Sequence, residues 1–292
     1  MKRIFLTLML AAICVATALA QGDGKLRIIA IGAHPDDCDI KFGGTAAKFA
    51  KLGHHVKFLS VTNGDAGHQD IGGGPLAVRR YKETQESARR LGIEEYQVLP
   101  NHDGELMPTL EVRKDIIRAI RRWNADIVIA PRPNDYHPDH RYTGILVQDA
   151  AYMVIVPNIA SDTPALKKNP VFMYYSDNFQ KPAPFRPDVA VSIDDVFEQK
   201  IDALDAQDSQ FYEWLPWTAG RLEEVPKDKK ARREWLAKNR FGSINADTRA
   251  ALEKYYGKAK AAQVKHAETF EVCEYGRQPN QEELKKLFPF FD

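Results

Sequence analysis

Cysteine is scarce in this 292-residue chain, with three in all, at positions 14, 38 and 273. Only Cys38 and Cys273 lie beyond the N-terminal segment, so a disulfide framework is excluded and two free thiols are expected. Long apolar runs are absent after the first twenty residues, which leaves no further candidate for a transmembrane helix. Neither sign of charge is in excess: 41 Lys and Arg stand against 40 Asp and Glu. Nucleic acid, which selects a basic stripe, is therefore not an expected partner. There is no internal repeat and no low-complexity tract.

Three familiar site patterns are missing too. Gly32 to Gly44 lacks the G-x-G-x-x-G spacing of a dinucleotide turn. No G-x-S-x-G occurs, which removes the usual serine-hydrolase elbow. Asp37-Cys38-Asp39-Ile40-Lys41-Phe42 puts Lys and Phe where a calcium loop needs an oxygen ligand and glycine.

The first twenty residues read as an export signal: Lys2 and Arg3, an apolar run from Ile4 to Ala16, then Ala18-Leu19-Ala20 before Gln21. Ile13 before Cys14 is wrong for a lipoprotein cleavage, and an uncleaved anchor is the alternative. The expected product is exported, periplasmic or secreted, without stable membrane insertion. Losing Lys2 and Arg3 takes 41 basic residues to 39 against 40 acidic ones. The remaining length, residues 21–292, fits one domain with an extension from about residue 215.

Leu26 to Ala33 is an apolar, β-branched segment of the buried-strand type. Further strands are expected at Val56 to Val61, Tyr96 to Leu99, Asp126 to Ala130, Val171 to Tyr175 and Val189 to Ile193. Helices are expected from Gly43-Gly44 to Leu52, Val78 to Leu91, Leu110 to Trp123, after Tyr142 to Met153, and Val196 to Phe211. Arg221 to Lys238, dense in charge, reads as a solvated helical surface, and the extension as helical. Strands alternating with helices predict an α/β fold, a Rossmann-like three-layer sandwich around a mostly parallel sheet. In such sheets ligands sit beyond the carboxyl ends of the strands. Both chemically rich segments, 34–37 and 137–140, follow strand ends.

His34, Asp36 and Asp37 crowd into four positions, with Pro35 stiffening the turn. A catalytic zinc wants three N or O protein ligands and an open position. A His-x-x-Asp loop offers two, and His137-Pro138-Asp139-His140 is the evident source of a third. Helix capping and turn formation are the alternative for either cluster alone; the two together favour a metal site.

Ala33-His34-Pro35-Asp36-Asp37 with Gly43-Gly44, and His137-Pro138-Asp139-His140 about a hundred residues on, resemble the two signatures of the LmbE-like (PIG-L) N-acetylglucosamine deacetylase family. Thr62-Asn63-Gly64-Asp65, Arg80-Tyr81-Lys82-Glu83, Leu91-Gly92 and Asp103-Gly104 extend the likeness over roughly residues 26–150. The resemblance implies that His34, Asp37 and His140 bind zinc, with Fe²⁺ or another divalent ion as the alternative. It implies that Asp36 is the general base, that His137 stabilises the tetrahedral intermediate, and that Asp139 sets the charge and orientation of His137. Arg80, Asp65 and Asp103 match positions that hold the sugar. Position 38, glutamate in many members, is Cys38 here, followed by Asp39.

Elementary chemistry agrees with these roles. Zinc brings the pKa of bound water from about 15.7 to about 7, a neighbouring carboxylate can shuttle its proton, and a well-placed donor to the oxyanion contributes about 3–4 kcal/mol. The implied activity is a metal-dependent hydrolase removing acetyl from an N-acetylglucosamine-type sugar or glycoconjugate. A different N-acyl substrate, or a zinc-dependent carbohydrate binder without turnover, are the alternatives. Plainer readings also stand: Arg80 paired with Glu83, and Asp65 and Asp103 as turn residues. The glycine-rich stretch His68 to Gly74 reads as a flexible loop, or else a lid. Tyr136, Tyr142 and Trp214 are candidates to stack on a sugar, or to be buried.

Overall fold

Residues Ile28 to Ile31 are apolar on both sides of a strand, so neither face can remain in water. They form the centre of β1 (Arg27–Gly32), buried throughout after Arg27. In the computed structural model, which describes residues 24–240 and 244–291, β1 lies between β2 (His55–Thr62) and β4 (Ile127–Ala130), parallel to both. Parallel pairing continues outward to β3 (Glu95–Asn101) beyond β2, and to β5 (Val171–Tyr175) beyond β4. Then β7 (Ala267–Gly276) runs antiparallel between β5 and β6 (Val189–Ser192). The order is β3-β2-β1-β4-β5-β7-β6. The expected α/β sandwich is the observed fold. The leader expected over residues 1–20 lies outside the described residues; among those described, no helix is long and apolar enough to cross a membrane.

Alternation along the strands feeds two cores. Ile28 and Ala30 join α1 (Asp37–Lys51) and α2 (Gly73–Leu91) on one face. Ile29 and Ile31 join α3 (Leu110–Trp123) and α4 (Pro138–Met153) on the other. Cys38 belongs to the first core and Cys273 to the second, so the sheet separates two free thiols.

Two expectations are corrected. The helix after β1 starts at Asp37, not Gly43. Its entry is the tight turn in which the Asp36 and Asp37 N–H groups donate to the His34 carbonyl, while Gly43 and Gly44 lie inside the helix to allow close packing. A Cβ on Gly44 would stand 2.8 Å from Ile193. The helix expected over 196–211 breaks into α5 (Phe197–Asp205), a π-turn at Ser209–Trp214 and α6 (Leu215–Thr218). The extension is helical as expected, with one strand added: α7 (Lys229–Arg240) and α8 (Ala246–Gln263) precede β7, and α9 (Gln281–Leu287) follows it.

Chain connection passes from β1 toward β2 on one side and from β4 toward β5 on the other. The carboxyl ends of β1 and β4 therefore form the switch point where such sheets bind ligands. Both motif loops meet there.

Candidate metal centre and active site

The loop after β1 is folded by its own aspartate. Asp37 Oδ2 reaches back to accept the Ala33 and His34 N–H groups at 2.8 and 2.9 Å, leaving Oδ1 turned outward. Across the switch point, His137 caps α4, its Nδ1 accepting the Asp139 N–H at 3.2 Å, and Pro138 pre-sets the first helical φ. His140 follows within the first turn.

These two constructions bring four donors together. His34 Nδ1 and His140 Nε2 are 3.0 Å apart, with Asp37 Oδ2 3.7 Å from the first and Asp37 Oδ1 3.5 Å from the second. Ligand atoms around a tetrahedral zinc lie about 3.3–3.6 Å from one another; the two nitrogens stand closer than that, and Asp37 faces each of them with a different oxygen, so the carboxylate borders the nitrogen pair at near-ligand spacing. The far nitrogens are committed: His34 Nε2 to Asp103 Oδ1 at 3.0 Å and Asp139 Oδ2 at 3.3 Å, His140 Nδ1 to Asp135 Oδ1 at 3.1 Å. Carboxylates behind both imidazoles are the usual support of histidine ligands. Nitrogens of His34, His137 and His140 also fall within 4.8 Å of one another, so His137 competes with Asp37 as the third ligand.

Electrostatics follow from this crowding. Burial lowers the His34 pKa, but Asp103 and Asp139 outweigh it and hold the imidazole up to about 10. An ion seated here must expel that proton. Burial pushes the Asp37 carboxyl up, yet His140, His34 and the backbone N–H groups bring it below its ordinary value. His137 is lowered by burial and by the two neighbouring imidazoles.

Asp36 is buried beside this cluster, its Oδ1 accepting from Arg80 Nη2 at 3.2 Å. Arg80 does not pair with Glu83; Arg79 does, at 3.2 Å. Arg80 is held by the Gly64 carbonyl at 3.2 Å and stands 3.6 Å from Asp103 Oδ2. Asp103 is thus wedged between His34 and Arg80. Burial raises its pKa, but these cations bring it down to about 2.

Two expected roles change. Asp65 stands behind the cleft, not in it: its carboxylate accepts the Asp103 N–H at 3.0 Å and pairs with His102 at 2.6 Å, fixing the turn that carries Asp103. The Asp139 carboxylate makes its hydrogen bonds to the Gly104 and Leu106 N–H groups, at 2.7 and 3.3 Å, and to His34, and acts on the His137 ring by charge alone, favouring its cationic form. It touches His137 through its backbone N–H, because the cap geometry turns the side chain toward the 103–106 loop. Cys38 and Asp39 also point away from the cleft. Cys38 Sγ lies 3.5 Å from the Tyr175 hydroxyl, and Asp39 accepts from the Ser87 and Tyr96 hydroxyls.

The glycine-rich stretch is tied rather than loose. His68 Nε2 meets Glu213 Oε2 at 2.7 Å, its Nδ1 accepts the Asp70 N–H at 3.0 Å, and Gly73 already belongs to α2. Tyr142 packs on the second core, Tyr136 is exposed, and Trp214 lines a cleft of about 650 Å³ that also holds His34, Asp36, Asp37, Asp103, His137 and His140. Sequence reasoning missed Asp135, Arg132 and Asp177. The first carries a readable signal, an Asx turn two residues before His137. Arg132 grips Asp177 through two contacts of 2.6 Å, a pairing with no local trace.

Fold and site together define an LmbE-like α/β sandwich with a candidate metal centre at its switch point. The chain belongs to the PIG-L family, described as GlcNAc-PI de-N-acetylase, whose model matches residues 29–151. It is 36% identical over 203 residues to a diacetylchitobiose deacetylase of Thermococcus kodakarensis, covering 65% of this chain and 73% of that one. A probable N-acetyl-alpha-D-glucosaminyl L-malate deacetylase of Bacillus cereus is 27% identical over 225 residues, covering 74% and 96%. Among solved structures, the N,N'-diacetylchitobiose deacetylase of Pyrococcus horikoshii, in complex with an inhibitor, superposes with a TM-score of 0.63 at 28% identity. That match covers 84% of this chain and 83% of that one.

Proposed function

We propose that the protein is a divalent-metal-dependent N-deacetylase acting on an N-acetylglucosamine-type sugar or glycoconjugate, with zinc as the ion. The observation that carries this reading is the convergence of His34 Nδ1, His140 Nε2 and Asp37, each imidazole backed by a carboxylate, beside a buried Asp36. The names of those three relatives, two diacetylchitobiose deacetylases and a probable N-acetyl-alpha-D-glucosaminyl L-malate deacetylase, support the substrate class.

A divalent ion held by those residues supplies Lewis acidity at the amide carbonyl and acidifies a water. Asp36 takes the proton of the attacking water and returns it to the amine as the C–N bond breaks. Arg80, 3.2 Å from Asp36, fixes the orientation of that carboxylate. His137, with Nδ1 occupied by the Asp139 N–H, turns Nε2–H to the carbonyl oxygen as it gains charge. Asp103 holds His34 and steadies Arg80 from the other side. The leader-like first twenty residues motivate the further proposal that this chemistry takes place outside the cytoplasm.

The test is acetate release from N-acetylated sugars by zinc-loaded and by chelated protein. Asp36→Ala should keep its metal and lose several orders of magnitude in turnover. Equal rates with and without chelator, or wild-type turnover in Asp36→Ala, overturn the mechanism.

A further inference from the structure

The cleft has one wall that owes nothing to the family motifs. Trp214, Leu215 and Thr218 line it, and all three lie outside the matched residues 29–151. This wall is anchored firmly. The Ser209 N–H and hydroxyl both donate to Glu83, Gln210 Nε2 donates to the Gly67 carbonyl at 3.1 Å, and Glu213 receives Arg79 at 2.6 and 2.8 Å. Trp214 follows directly and is backed by Trp217, the two rings stacked with centroids 5.3 Å apart and planes 15° from parallel. A π-turn carries this segment, a geometry often found at functional sites. The Trp214 Nε1 lies 3.7 Å from where a Cβ on Gly67 would stand, a point that Arg80 and Asp103 also border. The indole is therefore immediate to the acid–arginine pocket.

The cations of the same cleft are already engaged. Arg80 holds Asp36 and approaches Asp103, Arg132 grips Asp177, and Lys41 Nζ donates to the Ser176 carbonyl at 2.8 Å. A carboxylate or phosphate on the substrate would compete with Asp36, Asp103 or Asp177 for the two guanidiniums and stand against the charge of those acids. An aromatic face makes no such demand and accepts the C–H face of a pyranose.

Resting on the deacetylase reading, we infer that the substrate is a neutral oligosaccharide, and that Trp214, positioned by Trp217, is the platform for the sugar next to the N-acetylated one. The experiment measures kcat/KM for acetate release by the full zinc-loaded chain on N-acetylglucosamine, its β-linked dimer, and an N-acetylglucosaminyl conjugate bearing a carboxylate. The dimer is the preferred substrate of the three. Trp214→Ala lowers the dimer-to-monomer ratio about two- to tenfold, chiefly through KM, whereas Trp214→Phe retains most of it. Calorimetric binding of the dimer to Asp36→Ala weakens by the same factor when Trp214→Ala is added, which reads the platform without turnover. Preference for the carboxylate conjugate, or an equal loss on monomer and dimer, overturns the inference while the deacetylase reading stands. Trp214-dependent dimer binding with no acetate from any N-acetyl sugar upholds the platform and sinks the deacetylase reading.

Discussion

One oxygen of Asp135 receives both the His137 N–H and the far nitrogen of His140, at 3.0 and 3.1 Å. The same side chain thus shapes the capping turn of α4 and fixes the ring that offers Nε2 to the metal centre. Carboxylates in this place sharpen the orientation and basicity of a histidine ligand, and their loss costs about 10–100-fold in metal affinity. Asp135→Ala should weaken zinc binding by that factor in a competition titration with a chromophoric chelator, with Tm little changed; unaltered affinity would show the contact to be incidental. A second comparison separates the two candidates for the third ligand. Asp37→Asn should abolish stoichiometric zinc, measured by elemental analysis, while His137→Gln should keep it and lose turnover; the reverse result assigns the ion to the three imidazoles. At this scale the sequence was informative for a simple reason. His34, Asp36 and Asp37 share one tight turn, and His137 and His140 one helical turn, so local spacing already implied a common direction. The supports were hidden, because Asp103 meets His34 only from the loop after β3, two strands away in the sheet, and Asp139 spends its carboxylate on backbone N–H groups of that same loop.

The helix that presents Asp37 is held from the far end of the chain. Glu268 on β7 accepts the Gly44 and Thr45 N–H groups at 2.8 and 2.7 Å, and Lys200 on α5 donates to the Ile40 carbonyl at 2.7 Å and to Glu268 at 2.6 Å. A buried ion pair is therefore inserted beside the backbone ladder of α1, between the turn that holds the ligands and the turn that packs on Ile193. Removing one member leaves an uncompensated buried charge, a loss of about 3–5 kcal/mol. Glu268→Ala should lower stability by that amount in denaturant titration, with zinc affinity falling as α1 loosens; a shift under about 1 kcal/mol would mean that water replaces the carboxylate. This arrangement explains why the start of α1 was misplaced. Glycines at positions 43 and 44 look like a helix entry, but here they allow contact with Ile193 and access for Glu268 to the backbone. Only tertiary partners reveal that use, whereas β1, α3 and β4 could be read directly from unbroken apolar or amphipathic runs.

β7 decides whether the last fifty residues are an appendage or part of the fold. Its glutamates at 268, 271 and 274 recur every third residue, a spacing that suggests a helix and masks the strand carried by Thr269, Phe270 and Val272. In the molecule it fills the gap between β5 and β6, and among the described residues β6 pairs with no other strand. Phe270, Leu284, Leu287 and Phe288 enter the same core as Phe42 and Phe49 of α1. Each such side chain contributes about 1.5–3 kcal/mol on burial, so the four together rival the whole margin of about 5–15 kcal/mol by which a domain is stable. Cutting the chain after Arg240 also strips Glu268 from α1 and leaves two strand edges unpaired. The shortened protein should show no cooperative thermal transition and should bind no zinc stoichiometrically, even though every motif residue from His34 to His140 is still present. If it melts cooperatively and retains the ion, the catalytic core ends before β7, and the C-terminal strand only extends a sheet that is stable without it.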